Sequence, residues 1–154
     1  IGSGPLAIEF AQIYTRFGTD VTLIFRGKRI LKREEPELAN LLQQYMSEEG
    51  INFIGEADSL NVKNEEKKKI VMFRAAGKDK KLKTDQILIA TGRLPNTKGI
   101  NIDQTGVNLG DTGEIIVNEF MQSSVKDIFA AGDVTGEPML ETVAAREGMV
   151  AANN

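Results

Sequence analysis

The chain has 154 residues, 41% of them hydrophobic and 27% charged, with a formal net charge of −3 and a pI near 5.1. That is the profile of a globular protein with a sizeable core and not of a basic nucleic-acid binder. It has no Cys and no His, which removes disulfides, thiolate nucleophiles, Cys-ligated metals and the commonest general base.

No apolar run reaches the length of a membrane span, and no signal peptide is visible. The first residue is Ile1, at what reads as a strand end, without the strand that would precede it. A fragment of a longer protein is expected.

The opening residues Ile1, Gly2, Ser3, Gly4, Pro5, Leu6 and Ala7 read as a strand end, a glycine turn and a helix start. In a Rossmann unit the first glycine permits the tight turn and the second lets the backbone approach a pyrophosphate. The third position, here Ala7, must be small for helix and strand to pack closely. The phosphates then meet the helix N-terminus. A helix is predicted over residues 5–17, with Leu6, Phe10, Ile13, Tyr14 and Phe17 as its apolar stripe and Gly18 as its stop. Residues 20–25 form a nearly continuous apolar strand, as in a parallel sheet covered on both faces.

Arg26 stands directly after that strand, and residues 27–33 form a basic loop carrying Lys28, Arg29, Lys32 and Arg33. Nicotinamide sites selective for NAD place a carboxylate after the second strand, whereas NADP sites place a cation there for the 2′-phosphate. Glu34, Glu35, Pro36 and Glu37 then supply an acidic first turn to a second helix. Its predicted stripe is Leu38, Leu41, Leu42, Tyr45 and Met46, ending at Gly50, and residues 51–54 are a third strand. The order β–α–β–α–β is that of a mononucleotide-binding half.

From residue 56 to residue 83 short β-like pieces (59–63, 69–74 and 80–83) are separated by polar turns, which predicts an antiparallel meander with lysine-rich solvated edges. Residues 85–90 return to a buried strand, and Pro95 and Gly99 punctuate the segment after it. Residues 106–109 and 114–118 read as short strands around a turn at 111–113, and residues 128–131 as a buried strand. Gly132 and Asp133 stand at that strand's end, where ligands sit in open α/β sheets. A helix is predicted over residues 140–152. This last third holds too few strands for a sheet of its own and reads as half of a second domain.

Three stretches stand in fixed order: GSGPLAIE at 2–9, ATGRLPN at 90–96 and IFAAGDV at 128–134. Together they resemble the pyridine nucleotide–disulfide oxidoreductases, which include dihydrolipoamide dehydrogenase, glutathione reductase and mercuric reductase. The resemblance covers essentially the whole chain. It implies an α/β, Rossmann-like NAD(P)-binding domain over residues 1–93, made of a parallel sheet plus a β-meander. Residues 94–154 would be the returning, C-terminal part of a split FAD-binding domain.

Carried over by position, Gly2, Ser3, Gly4, Pro5, Leu6 and Ala7 would hold the nicotinamide cofactor's pyrophosphate. Glu9 would lie near the flavin–nicotinamide junction, Ala57 on the adenine side, and Gly92 where the chain passes the cofactor. Arg26 with Lys32 or Arg33 implies NADP, with NAD as the alternative. Gly132 and Asp133 would meet the FAD ribityl chain, and Met139, Leu140, Glu141 and Thr142 the flavin ring. No residue here matches a metal ligand or the family's redox-active Cys pair.

The stretch from Pro138 to Gly148 is most like mercuric reductases, because Glu141 and Thr142 replace the His-Lys pair usual in lipoamide dehydrogenases. The resemblance thus implies hydride transfer from NAD(P)H to FAD and on to a disulfide or Hg(II). Dihydrolipoamide dehydrogenase, NADH oxidase, transhydrogenase and ferredoxin reductase remain as alternatives on the same scaffold, and a nucleotide-binding module without redox chemistry as a more remote one. The whole protein would be a cytoplasmic homodimer, joined through a C-terminal domain absent from this sequence, with no nucleic-acid or membrane partner. The fragment alone would be inactive.

Overall fold

The computed structural model describes residues 1–136 and 138–154. These divide into two compact units, Ile1–Gly92 and Arg93–Asn154.

In the first unit, helix α1 (Pro5–Arg16) leads to strand β1 (Thr22–Ile24), helix α2 (Pro36–Glu48) and strand β2 (Asn52–Ile54). β1 and β2 pair in parallel, Leu23 opposite Phe53. Gly2 N–H donates to the Ile24 carbonyl at 3.0 Å, and Ala90 N–H donates to the Ile1 carbonyl at 2.8 Å. The chain therefore lies across this layer in the order 88–90, 1–2, β1, β2, the arrangement of a mononucleotide-binding half.

β1 is buried on both sides because successive side chains point to opposite faces. Leu23 and Phe25 join Ala7, Ile8, Ala11, Ile30, Met46 and Ile51 in one core, while Ile24 joins Ala57, Val71, Phe73 and Ala75 in another. That second core belongs to the meander of β3 (Ala57–Glu65), β4 (Lys68–Ala75) and β5 (Lys78–Thr84), paired antiparallel in that order. Its strands are longer than their apolar pieces suggest, because the lysine-bearing ends of β4 and β5 continue the ladder.

Three sequence expectations are corrected in this unit. The large residues Leu6, Ile13, Tyr14 and Phe17 of α1 are exposed, Phe17 at 81%, and the helix buries Ala7, Ile8 and Ala11 instead. Small residues four apart let α1 approach the sheet closely, which leaves the large ones to its flanks. On α2 the buried residues are Ala39 and Met46, with Leu38, Leu41 and Tyr45 exposed. Residues 85–90 form no regular strand, and Ile89 is 73% exposed. Their backbone is tied to Ile1 by the bonds from the Ile1 ammonium to the Leu88 carbonyl and from Ala90 N–H to the Ile1 carbonyl, which are too few to make a ladder.

The second unit has a smaller core of Val107, Ile115 and Ala130. The expected strands reduce to two isolated antiparallel bridges, Leu109 with Ile115 and Gln122 with Phe129. Single 3-10 turns occupy Ile102–Gln104 and Asp133–Thr135, and α3 spans Glu141–Asn153 without a buried residue. Thr97, the buried polar residue among the described residues of the unit, donates its hydroxyl to the Gly113 carbonyl at 2.8 Å.

Candidate functional site

The two glycines of the opening turn have different neighbours. Gly2 has φ +132°, and a Cβ there would collide with the carbonyl of Ala90, whose carbon lies 2.7 Å from that position. Only glycine fits both the angle and the space. Gly4 has an ordinary φ of −81°, and a Cβ there would meet nothing within 4 Å. Its backbone would accept another residue, so the absence of a side chain leaves room for something else.

Gly4 is the N-cap of α1 and makes no side-chain capping bond; Pro5 occupies the first helical position, and the first turn holds no acid. The positive end of a twelve-residue helix thus faces an opening, the arrangement that binds anions. Ala7, 1% exposed, supplies the close helix–strand contact.

Glu9 is exposed and borders a hollow of about 340 Å³ together with Pro5, Ile8, Leu31 and Glu34. Leu31 N–H donates to the Ser3 carbonyl at 2.7 Å, so the basic loop is tied to the glycine turn by main chain. Arg26 is exposed, while the backbone around it is pinned. Phe25 N–H donates to Ile54, Glu56 N–H to Gly27 and Ala57 N–H to Phe25, at 2.9–3.0 Å.

Lys32 and Arg33 are exposed further along the loop. Ala57 is fully buried at the start of β3, with its N–H engaged by Phe25. Gly92 has φ +119° and open space where a Cβ would stand.

In the second unit Asp133 opens the 3-10 turn just after Gly132. Its Oδ2 accepts from Arg93 Nη1 at 2.9 Å, and its side chain remains 47% exposed. The turn is held from α3: the Glu147 carboxylate accepts from Gly132 N–H at 2.7 Å and from the Thr135 hydroxyl at 3.2 Å. Gly132 has φ +83° and sits 3.3 Å, measured from where a Cβ would be, from the Ala144 side chain. Met139 precedes Leu140, the N-cap of α3, and Glu141 and Thr142 form its exposed first turn.

Arg93 and Glu147 were not singled out from sequence as site residues. Arg93 lay inside a recognised motif, and Glu147 carried no signal beyond its place on a helix. Among the described residues no group of three or more His, Cys, Asp or Glu could hold a metal, and no helix is long and apolar enough to cross a membrane.

Residues 1–148 match the family described as pyridine nucleotide-disulphide oxidoreductase. A mercuric reductase of Staphylococcus aureus is 39% identical across the whole chain, which spans 28% of that relative's length. A dihydrolipoyl dehydrogenase of Thermus scotoductus is 35% identical, and the chain spans 34% of it. Among solved structures, LpdA from Mycobacterium tuberculosis superposes with a TM-score of 0.86 at 28% identity, over 97% of this chain and 32% of that one. An engineered water-forming NADPH oxidase bound to NADPH gives 0.87 at 26% identity, over 99% of this chain and 35% of that one.

Proposed function

Since the chain belongs to the pyridine nucleotide-disulphide oxidoreductase family, we propose that it supplies the nicotinamide site and part of the flavin site of an FAD-dependent reductase. That reductase takes electrons from NADPH and delivers them to Hg(II) or a disulfide. The observation that carries this reading is the opening at Gly4, where a side chain would fill the space in front of the uncapped α1 N-terminus.

Residues 1–93 are read as the NAD(P)-binding domain and residues 94–154 as the C-terminal part of the FAD-binding domain. The turn from Gly2 to Ala7 receives a pyrophosphate against the helix dipole. Arg26, with Lys32 or Arg33, offers cations to a 2′-phosphate, which a guanidinium can bind through two parallel hydrogen bonds. Glu9 stands beside the turn toward the nicotinamide end, Ala57 toward the adenine, and Gly92 leaves room for the cofactor to pass. Asp133, paired with Arg93, accepts from a ribityl hydroxyl, with Gly132 giving the turn its shape. Met139, Leu140, Glu141 and Thr142 pass the flavin ring. FAD, when bound, supplies the two-electron relay between nicotinamide and final acceptor.

Hg(II) is favoured over other acceptors by the mercuric reductases among the relatives. The whole protein is read as a cytoplasmic homodimer. Its full-length form should purify yellow and oxidise NADPH in the presence of Hg(II) or a disulfide, while residues 1–154 alone turn over neither. A colourless full-length protein, or one that oxidises NADPH with neither acceptor, overturns the proposal.

A further inference from the structure

We propose that Arg29 is the positioning residue of the cofactor-selecting loop: its guanidinium folds the loop so that the cations around it stand against the glycine turn. The proposal rests on the reading of Arg26 and its neighbours as ligands of a 2′-phosphate.

In sequence Arg29 is one cation among several. In the structure its charge is engaged within the loop. Arg29 Nη1 donates to the carbonyls of Leu31 at 3.0 Å and Glu34 at 2.9 Å, and Nη2 donates to the carbonyl of Lys32 at 2.9 Å. A planar fork of donors can bridge three carbonyls in one plane, which a lysine ammonium, a compact point charge, does not reproduce.

Between these bonds sits Leu31, at φ +48°, a left-handed conformation rarely adopted by a residue with a side chain. Leu31 is fixed at both ends of its peptide units. Its N–H donates to the Ser3 carbonyl at 2.7 Å, and its carbonyl accepts from Arg29 and from Glu34 N–H at 2.9 Å. Ser3 lies between the two glycines of the phosphate turn. The route from Arg29 to the nucleotide is therefore short and covalent except for two hydrogen bonds: Arg29 to Leu31, and Leu31 to Ser3. The carbonyl of Lys32 is held by the same guanidinium, so the backbone from which that cation's side chain extends is set relative to the turn.

The consequence is specific to one phosphate. Without the fork, the loop keeps its cations but samples many arrangements, and an ordered charge-assisted contact to a 2′-phosphate is lost. NADH has no such phosphate, and its pyrophosphate is held by the turn itself.

The test uses the full-length flavoprotein and steady-state kinetics with NADPH and NADH. Arg29→Met should raise KM for NADPH roughly tenfold, the loss of about one such contact, leave KM for NADH within about twofold, and leave kcat with either near its original value. Arg29→Lys should do the same, because a charge without the fork cannot bridge the three carbonyls; it also serves if Arg29→Met fails to fold, with NADH turnover as the check on folding. Arg26→Glu is the reference.

If Arg26→Glu abolishes the NADPH preference and both Arg29 variants retain it, or if both raise KM for the two nucleotides equally, the positioning role is overturned and the cation reading stands. A wild-type enzyme with no preference for NADPH, or a preference that survives Arg26→Glu, overturns the cation reading and this inference with it.

Discussion

The two units shape their glycine turns by different means. In Ile1–Gly92 the turn at Gly2 lies between a parallel layer and a twelve-residue helix, and main-chain bonds to Ile24 and Leu31 fix it. In Arg93–Asn154 the turn at Gly132 opens a three-residue 3-10 turn, and a side chain fifteen residues away holds it. Regular structure satisfies backbone groups collectively, whereas an irregular segment needs individual side chains for the same groups. The first turn should therefore be sensitive to backbone geometry and the second to the loss of single anchors.

Gly2→Ala gives the largest expected effect. The new Cβ meets the Ala90 carbonyl in a backbone conformation reserved for glycine, and the cost should be about 3 kcal/mol or more. It would appear as a lowered urea midpoint or loss of soluble full-length protein. Gly4→Ala should shift that midpoint by no more than about 0.5 kcal/mol, yet weaken NADPH binding measured by titration. A similar stability loss at both glycines would end the distinction between them.

In the second unit, Glu147→Ala leaves the Gly132 N–H without its acceptor, which should cost about 1–3 kcal/mol. FAD should then dialyse from the full-length protein more readily. Glu147→Gln keeps an acceptor oxygen and should recover most of the retention; if it behaves like Ala, the anchoring role of Glu147 fails. Thr97→Val removes the hydroxyl from a buried position and leaves the Gly113 carbonyl unpaired, an expected loss of about 1 kcal/mol in the urea midpoint.

The smallest effect is electrostatic. The hydrogen bond from Arg16, with a lesser one from Gln12, holds the Glu49 carboxyl below its ordinary range. Lys68 does the same for Asp85, and the Thr112 hydroxyl for Glu114. A depressed carboxyl contributes stability that is complete above the ordinary carboxylate range and is lost as pH falls from there through the group's own lowered value. Arg16→Met should lower the neutral-pH midpoint slightly and make its decline on acidification shallower to the same extent, so that variant and wild type converge in acid. An identical acid slope would remove Glu49 from the account.

Much of this was legible in sequence. The glycine turn, the β–α–β–α–β order and the meander all come from local patterns: glycine spacing, apolar runs and polar turns. The packed face of α1 was misread because large residues dominate a hydrophobicity pattern, while close packing on the sheet selected Ala7 and Ala11. Residues 85–90 looked like a buried strand because their apolar content was counted, and apolar content alone does not report backbone pairing.

The anchors were invisible for another reason. Arg93 and Asp133 are forty residues apart, and Glu147 and Gly132 fifteen; such pairs leave no periodic trace. Arg29 was hidden by company, since a cation bonded to carbonyls looks in sequence like the cations around it.

Gly2 and Gly4 stand two residues apart in unlike surroundings, one against a neighbour inside the molecule and the other against open space. In a duplicated copy that no longer handles nucleotides, Gly2 would still be kept by the fold, while Gly4 would be free to drift. On the proposed nucleotide reading, the second glycine among descendants of this chain would mark retained use, and the first would record only that the domain still folds.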